Sequence, residues 1–197
     1  MITRYKVIIS YYIKMEIQQE KKQGKTQTIY GVYSPSVLTT KVILSINQVG
    51  KNVKQNLERT IQKKCEGKCI PEGFIKPGSI NVLTYSSGNI INANIEFQTV
   101  YECMLCHPVE GMLMECVTKT ITKAGVHAEV IDEDGNVPVT VFIARDHHYN
   151  NTDFNELEIG DAINVSVIGV RARFNDTYVS VIAQLIGKVD GGIPFNK

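Results

Sequence analysis

Two pairs of cysteines have spacings close to those of metal ligands. Cys65 and Cys69 are four positions apart, Cys103 and Cys106 are three apart, and His107 follows the second pair directly. Thiolates with these spacings can complete the tetrahedron that zinc prefers. A zinc site is therefore one interpretation, and a zinc-dependent enzyme would follow from it.

The other interpretation is that these cysteines are ordinary core residues. Cys103 to Cys106 lies in an apolar stretch that reads as a β-strand, where residues three apart point to opposite faces. Neither pair is followed by the glycine of a zinc knuckle, and free thiols are commonly buried. We expect five reduced cysteines, no metal and no cofactor, and we interpret the adjacent His147 and His148 as loop histidines.

Cations and aromatic rings recur through the C-terminal half of the chain. Arginine and lysine contact phosphates, and histidine, tyrosine and phenylalanine can stack on bases, so together they suit single-stranded RNA. The candidate RNA-binding residues are Lys119, Lys123, His127, Arg145, His147, Tyr149, Arg171, Arg173 and Phe174. The competing interpretation is that charges alternating with apolar residues form only the solvated face of a sheet, partly neutralised by nearby aspartates.

No catalytic motif accompanies these residues. The sequence has no phosphate-binding glycine-rich loop before a helix, no Gly-x-Ser-x-Gly and no His-Glu-x-x-His. We therefore expect a protein that is not an enzyme.

Length and composition limit the remaining possibilities. The chain has 197 residues, of which 43% are hydrophobic, enough for one or two small domains with a buried core. Its 21 Lys and Arg balance 20 Asp and Glu, so nucleic acid could be attracted only to a local patch. The apolar run from Val7 to Ile13 is too short to span a bilayer, and we expect an intracellular protein that does not contact membranes.

The first 106 residues read as an α+β domain, with an antiparallel sheet and one main helix. Val49, Val53, Leu57 and Ile61 recur every four residues, which predicts an amphipathic helix from Val49 to Cys65. An exposed loop is predicted over residues 18–27. Strands are predicted over residues 4–17, 74–75, 80–85 and 90–97.

A boundary is predicted near His107 and Pro108, where closely spaced strands with short turns begin. Five strands with a helical turn between the third and fourth match an all-β OB-fold barrel over residues 107–190, followed by a C-terminal tail over 191–197. The strands are predicted at 112–121, 125–131, 138–144, 162–174 and 178–185, and the helical turn at 154–157.

Short motifs along both domains resemble one family of proteins. They are Glu66-Gly67-Lys68-Cys69, Gly73-Phe74-Ile75, His107-Pro108-Val109-Glu110-Gly111, Thr122-Lys123-Ala124-Gly125, Val141-Phe142-Ile143-Ala144-Arg145-Asp146-His147 and Asn175-Asp176-Thr177-Tyr178-Val179-Ser180-Val181-Ile182-Ala183. Together with the order of the predicted helices and strands, these motifs make the chain resemble subunit seven of eukaryotic RNA polymerase II and its archaeal counterpart. The resemblance is to the form encoded by nucleocytoplasmic large DNA viruses.

The resemblance implies a non-catalytic stalk subunit of a DNA-directed RNA polymerase that acts in transcription. The N-terminal tip domain would dock on the polymerase core through the turn from Gly67 to Pro77, and the OB barrel would touch nascent single-stranded RNA. The docking residues implied by the resemblance are Gly67, Lys68, Pro71, Gly73, Phe74, Ile75 and Pro77.

The resemblance also implies partners and a location. The core partners would be the clamp region of the largest subunit and a small core subunit. The resemblance leaves open whether a helical partner resembling subunit four is also present. The location would be the viral factory in the host cytoplasm, and packaging in the virion stays open as well. The alternative function is a free-standing OB-fold RNA-binding protein acting in translation or RNA turnover.

Overall fold

A computed structural model describes residues 31–148 and 151–189. The strand predicted over residues 4–17, the loop over 18–27 and the tail over 191–197 lie outside the described residues.

The N-terminal sheet is built around one long strand, β6 (Asn94–Cys106). One edge of β6 pairs antiparallel with β1 (Ser34–Ser45). The other edge pairs in turn with β5, β4 and β3, and the short β2 pairs with β3. These four strands are β2 (Cys69–Ile70), β3 (Gly73–Ile75), β4 (Asn81–Tyr85) and β5 (Asn89–Ile91).

One helix, α1 (Val53–Cys65), covers the inner face of this sheet. Its buried side chains Leu57, Ile61 and Cys65 recur every fourth residue and join the core of the sheet. The helix begins four residues later than the predicted Val49, because Gly50 disfavours helix and Asn52 occupies the N-cap position. No helix in the described ranges is long and apolar enough to cross a membrane.

The C-terminal half closes into a five-stranded barrel. Its strands are β7 (Leu113–Ile121), β8 (Gly125–Val130), β9 (Val139–Ala144), β10 (Ala162–Arg171) and β11 (Val179–Lys188). They follow the order β10-β11-β9-β8-β7, in which only β9 and β11 are parallel, and β10 closes the barrel onto β7. With a short helix, α2 (Thr152–Asn155), between the third and fourth strands, the barrel is OB-like.

The barrel strands lie within a few residues of their predicted positions, whereas the first sheet differs more. The strand predicted over residues 90–97 is divided into β5 and β6 by a tight turn, in which Asn92 has a φ of 56°. Asparagine tolerates this left-handed conformation. Strand β1 has no counterpart among the predicted elements.

The first sheet and the barrel share a core. The side chains of Cys69, Phe74 and Cys106, all from the first sheet, are buried in the cluster that fills the barrel. The Cys69 amide donates to the Asp176 carbonyl at 2.7 Å, and the Asn175 amide donates to the Cys69 carbonyl at 2.9 Å. Strand β2 is therefore bonded directly to the loop between β10 and β11.

A second contact between the two parts is polar. The Tyr33 hydroxyl donates to Asp132 Oδ2 at 3.0 Å, and Lys76 Nζ lies 2.8 Å from Asp134 Oδ2. Burial alone would raise the pKa of Asp132, but hydrogen bonds from Asn136, Tyr33 and the Asp134 amide outweigh it and lower the pKa. The ionised carboxylate of Asp132 therefore organises the β8–β9 loop and ties it to the segment before β1.

His148 is a core residue rather than the loop histidine expected from the sequence. Its side chain is buried, and its ring stacks on Phe154 of α2 with centroids 4.9 Å apart. Because the Leu185 amide donates to Nε2 at 3.0 Å, the neutral ring carries its proton on Nδ1, which donates to the Ala144 carbonyl at 2.9 Å. His148 thus joins β9, α2 and β11.

Candidate nucleic-acid interface

The outer face of the barrel is set by the alternation of side chains along its strands. Val141, Ile143, Val181 and Ala183 point inward and are buried. Phe142 lies between the first two and Ile182 between the last two, so both point outward, and both are large and apolar.

Phe142 and Ile182 belong to a row that crosses four strands. His127 on β8 pairs with Phe142 on β9, Phe142 pairs with Ile182 on β11, and Ile182 pairs with Gly169 on β10. The His127 and Phe142 rings lie 4.8 Å apart, and the Ile182 side chain is 50% exposed. This row is an apolar and aromatic platform on which a base can stack.

The next row across the barrel is polar. Glu129, Thr140, Ser180 and Arg171 occupy successive strands in register. Lys119 lies at a β-bulge in β7, and its Nζ is 3.4 Å from Glu129 Oε2. Lys119 is therefore partly neutralised, whereas Arg171 belongs to none of the ion pairs found in the described ranges.

Arg145 has a structural role at one end of the barrel. Its Nε donates to the Lys123 carbonyl at 3.1 Å, and a terminal nitrogen donates to the Thr122 carbonyl at 3.3 Å. The guanidinium also lies over the Phe154 ring, 5.2 Å from its centroid. Arg145 thus braces the β7–β8 loop, which presents Lys123 to solvent, and His147 is exposed nearby.

The end of β10 and the loop that follows it present a second group. Arg171 and Arg173 are exposed, Phe174 is 61% exposed and Tyr178 is 43% exposed. Asn175 turns the loop with a φ of 69°, and its amide is held by β2. Exposed rings and guanidiniums on an anchored loop suit stacking and phosphate contact with single-stranded nucleic acid.

The candidate RNA-binding residues therefore form two groups. Lys123, Arg145 and His147 lie where β9 ends, while Arg171, Arg173 and Phe174 lie near where β9 begins, because β9 and β11 run parallel. About 17 Å separates the two ends, at roughly 3.3 Å per strand residue, and His127 and Lys119 lie between them. Tyr149 falls outside the described residues.

Sequence reasoning missed three side chains of this face: Phe142, Ile182 and Tyr178. The sequence did carry a signal for Phe142 and Ile182. Each is a large apolar residue whose two neighbours along the strand are small or branched. Only the pairing of β9 with β11 brings them together.

The residues that the resemblance implies as docking contacts differ in how deeply they are buried. Gly73, Phe74 and Ile75 are buried within the chain, Gly67 and Lys68 are half-buried, and Pro71 and Pro77 are exposed. A partner approaching this segment would meet the two prolines and the backbone around them. Phe74 and Ile75 serve instead as core residues of the chain.

Each of the two cysteine pairs seen in the sequence is divided between the two cores. Cys65 and Cys103 lie in the core between α1 and the first sheet, whereas Cys69 and Cys106 lie in the barrel core, as does Cys116. Within residues 31–148 and 151–189, no three histidine, cysteine or carboxylate side chains converge as a metal site. The burial of all five thiols is what the second interpretation, as core residues, predicts.

We predict that the thiols are unreactive in the folded protein. Burial raises the pKa of Cys69 and Cys103 to about 11 and that of Cys106 and Cys116 to about 12. At pH 8, alkylation of the five free thiols should be slow in buffer and complete in urea, as mass spectrometry can measure. Rapid native alkylation would contradict this burial.

The same thiols make stability depend on pH. Their pKa is higher in the folded state, so the folded protein keeps protons that the unfolded chain releases above pH 9. Their stabilising effect is complete below pH 9 and is lost as pH rises toward 11 and 12. Denaturant titrations at pH 8 and pH 10.5 should show the decline, and Cys116→Ala should make it shallower.

The chain is similar to two curated proteins. A protein of Acanthamoeba polyphaga mimivirus, provisionally named DNA-directed RNA polymerase subunit L376, is 25% identical over 175 residues, covering 79% of this chain and 82% of that protein. The DNA-directed RNA polymerase II subunit 7 of Arabidopsis thaliana is 27% identical over 117 residues, covering 58% of this chain and 61% of that protein. No family model matches the chain.

Proposed function

We propose that this chain, a relative of RNA polymerase subunit seven in its giant-virus form, is a non-catalytic stalk subunit of a DNA-directed RNA polymerase. In this role it docks on the core near the clamp and contacts nascent RNA with its barrel. The observation that carries the proposal is the similarity to two proteins named as RNA polymerase subunits, one of them matched along most of both chains.

The barrel supports the RNA-contact part of the proposal. The barrel has an OB-like strand order. Barrels of this kind commonly bind single-stranded nucleic acid on their outer face and connecting loops. The platform of His127, Phe142 and Ile182 lies on that face, and Arg171 flanks it one row away. A weak contact suffices, since a barrel tethered beside emerging RNA meets it at a high effective concentration.

The N-terminal sheet supplies the docking part of the proposal. Pro71 and Pro77 are the exposed members of the implied docking set, so we assign the contact with the clamp region of the largest subunit and with a small core subunit to the surface around them. A helical partner resembling subunit four would complete the stalk. We place the assembly in the host cytoplasm, at the viral factory, with packaging into the virion as a further step.

Co-purification from infected cells tests the proposal against a free-standing RNA-binding protein. After nuclease treatment, we expect the tagged chain to retain the two largest polymerase subunits in near-equal amounts, as quantitative mass spectrometry can measure. The matched control is Arg171→Gln with Phe174→Ala, which alters only the end of β10 and the loop after it and should retain the same subunits. Recovery of the chain alone, or with ribosomes, would favour translation or RNA turnover instead.

A further inference from the structure

Strand β1 forms one edge of the first sheet and is long for an edge strand. Its twelve residues pair with β6 on one side, whereas strands usually have about 5–6 residues. Within the described ranges, no strand pairs with its other side. Alternate residues of an antiparallel strand direct their backbone N–H and C=O groups away from the neighbouring strand. About half of the backbone groups of β1 therefore point outward along a free edge.

The composition of β1 does little to protect this edge. Edge strands that stay in contact with solvent commonly carry charges, prolines or bulges, which prevent further pairing. The charged residue of β1 is Lys41, and its Nζ lies 3.4 Å from Glu96 Oε1. Its proline is Pro35, at the second position, and over residues 34–45 its register with β6 has no bulge. Most of the edge is therefore open to another strand.

Apolar side chains beside this edge are incompletely covered. Leu38 lies on β1, and Val49 and Val53 lie on the segment that leads from β1 into α1. All three pack against the core of the first sheet but are only half-buried. On the other face of β1, Val37 and Ile43 are exposed. Both faces of β1 thus offer apolar surface to a neighbour.

The sequence that precedes β1 has the pattern of a strand with one apolar face. Within residues 4–17 every odd position is apolar or aromatic, whereas the even positions include three cations and one carboxylate. Strict alternation of this kind is typical of a strand that is buried on one side only. The apolar side consists of Tyr5, Val7, Ile9, Tyr11, Ile13, Met15 and Ile17.

We propose that residues 4–17 pair antiparallel with the free edge of β1 and place their apolar side chains against the core of the first sheet. Consecutive strands usually lie side by side, and the fourteen positions of this segment match the twelve of β1. Residues 18–33 connect the two strands and include a polar stretch around Gly24 that suits a loop. The pairing therefore forms a hairpin with a long connection.

The hydrophobic pattern restricts the register of this hairpin. On β1 the even-numbered side chains, such as Val42, face the core. Residues directly opposite each other share a face, so each odd residue of 4–17 must lie opposite an even residue of β1. With Ile9 opposite Val42, for example, Ile8 lies beside the exposed Ile43. A shift by one residue would instead turn the cations of this segment toward the core.

The occupant of the edge is this chain rather than a partner, because the segment is joined to β1 and meets it at a high effective concentration. A covered edge no longer accepts a strand from another protein. Partners of the first sheet would then bind its faces and loops. This inference does not depend on the proposed function, and either can fail without the other.

Nuclear magnetic resonance of the full chain tests the pairing directly. Antiparallel pairing brings the α protons of opposed residues close together, so we expect nuclear Overhauser effects between residues 4–17 and residues 34–45. A sample that mixes two isotope labels separates contacts within one molecule from contacts between two copies. Contacts found only between copies would overturn the proposal in favour of strand exchange in a dimer. The absence of any such contact would overturn it as well.

Two single variants then test which side of the segment faces the core. Ile9→Lys places a charge on the apolar side, and Ile8→Lys places the same charge on the other side. Because burying an unpaired charge is costly, Ile9→Lys should accelerate hydrogen exchange of the β1 amides that point away from β6 by about tenfold or more. Ile8→Lys should change it by about twofold or less.

The barrel provides the internal reference for this comparison. Amides of β8 and β9 pair with each other, so their exchange should be the same in both variants and in the original protein if the chain remains folded. Equal acceleration of the β1 amides in the two variants would overturn the assignment of faces. Faster exchange in Ile8→Lys than in Ile9→Lys would indicate the opposite register and overturn it too.

Discussion

Replacing Phe74 with alanine is expected to lower the free energy of unfolding by about 3–5 kcal/mol, the usual cost of deleting a buried phenylalanine. Phe74 is 3% exposed and belongs to the first sheet, yet its ring is part of the core that fills the barrel. The deletion therefore leaves a cavity at the junction of the two parts. Urea denaturation followed by circular dichroism measures the change.

Phe174→Ala is the matched control for this prediction. Phe174 is 61% exposed, so its loss should change the unfolding free energy by about 0.5 kcal/mol or less. If Phe74→Ala fails to fold, the milder Phe74→Leu should still show a loss of about 1 kcal/mol. A stable Phe74→Ala protein that no longer binds the polymerase would contradict the core role and restore Phe74 as a docking residue.

Replacing Gly125 with alanine should lower the free energy of unfolding by about 3 kcal/mol, at the upper end of the effects of overpacking a core. A methyl group at Gly125 would overlap the carbonyl oxygen of Ile143 and lie 3.0 Å from the Phe142 ring. The carbonyl belongs to the paired strand β9 and cannot rotate away as a side chain can. The two strands must therefore separate where β8 begins, at the end of the β7–β8 loop.

Gly169→Ala provides the comparison within the same barrel. Gly169 lies on β10, and a methyl group there meets no atom within 4 Å. We expect its unfolding free energy to stay within about 0.5 kcal/mol of the original protein. Equal unfolding midpoints for the two alanine variants would show that strands β8 and β9 are farther apart than described.

The barrel was predictable because its signals are local. Alternating apolar residues mark its strands, and small or Asx residues such as Ala124, Gly125 and Asn175 mark its turns. Strand β1 was missed although Thr39, Thr40 and Val42 are β-branched residues that favour strands. Pro35 and Lys41 interrupt this signal, and the strand is completed by pairing along its whole length with β6.

The candidate interface was predictable in its residue types but not in its arrangement. The cations and rings could be read from the sequence, whereas their division between the two ends of the barrel depends on the parallel pairing of β9 with β11. Likewise, the burial of Phe74 depends on contacts with strands that are distant in the sequence. Such long-range contacts leave no local pattern in a single sequence.

The two backbone hydrogen bonds between Cys69 and the β10–β11 loop have a mechanical consequence. A single bond would let the loop pivot, but bonds on both sides of one residue fix its orientation as well as its position. A pulling force applied at Phe174 is therefore shared between the barrel strands to which the loop is covalently joined and β2, which leads through β3 to β6. Tension on a nucleic-acid strand bound at this loop would act on the barrel and the first sheet together, because these hydrogen bonds join them.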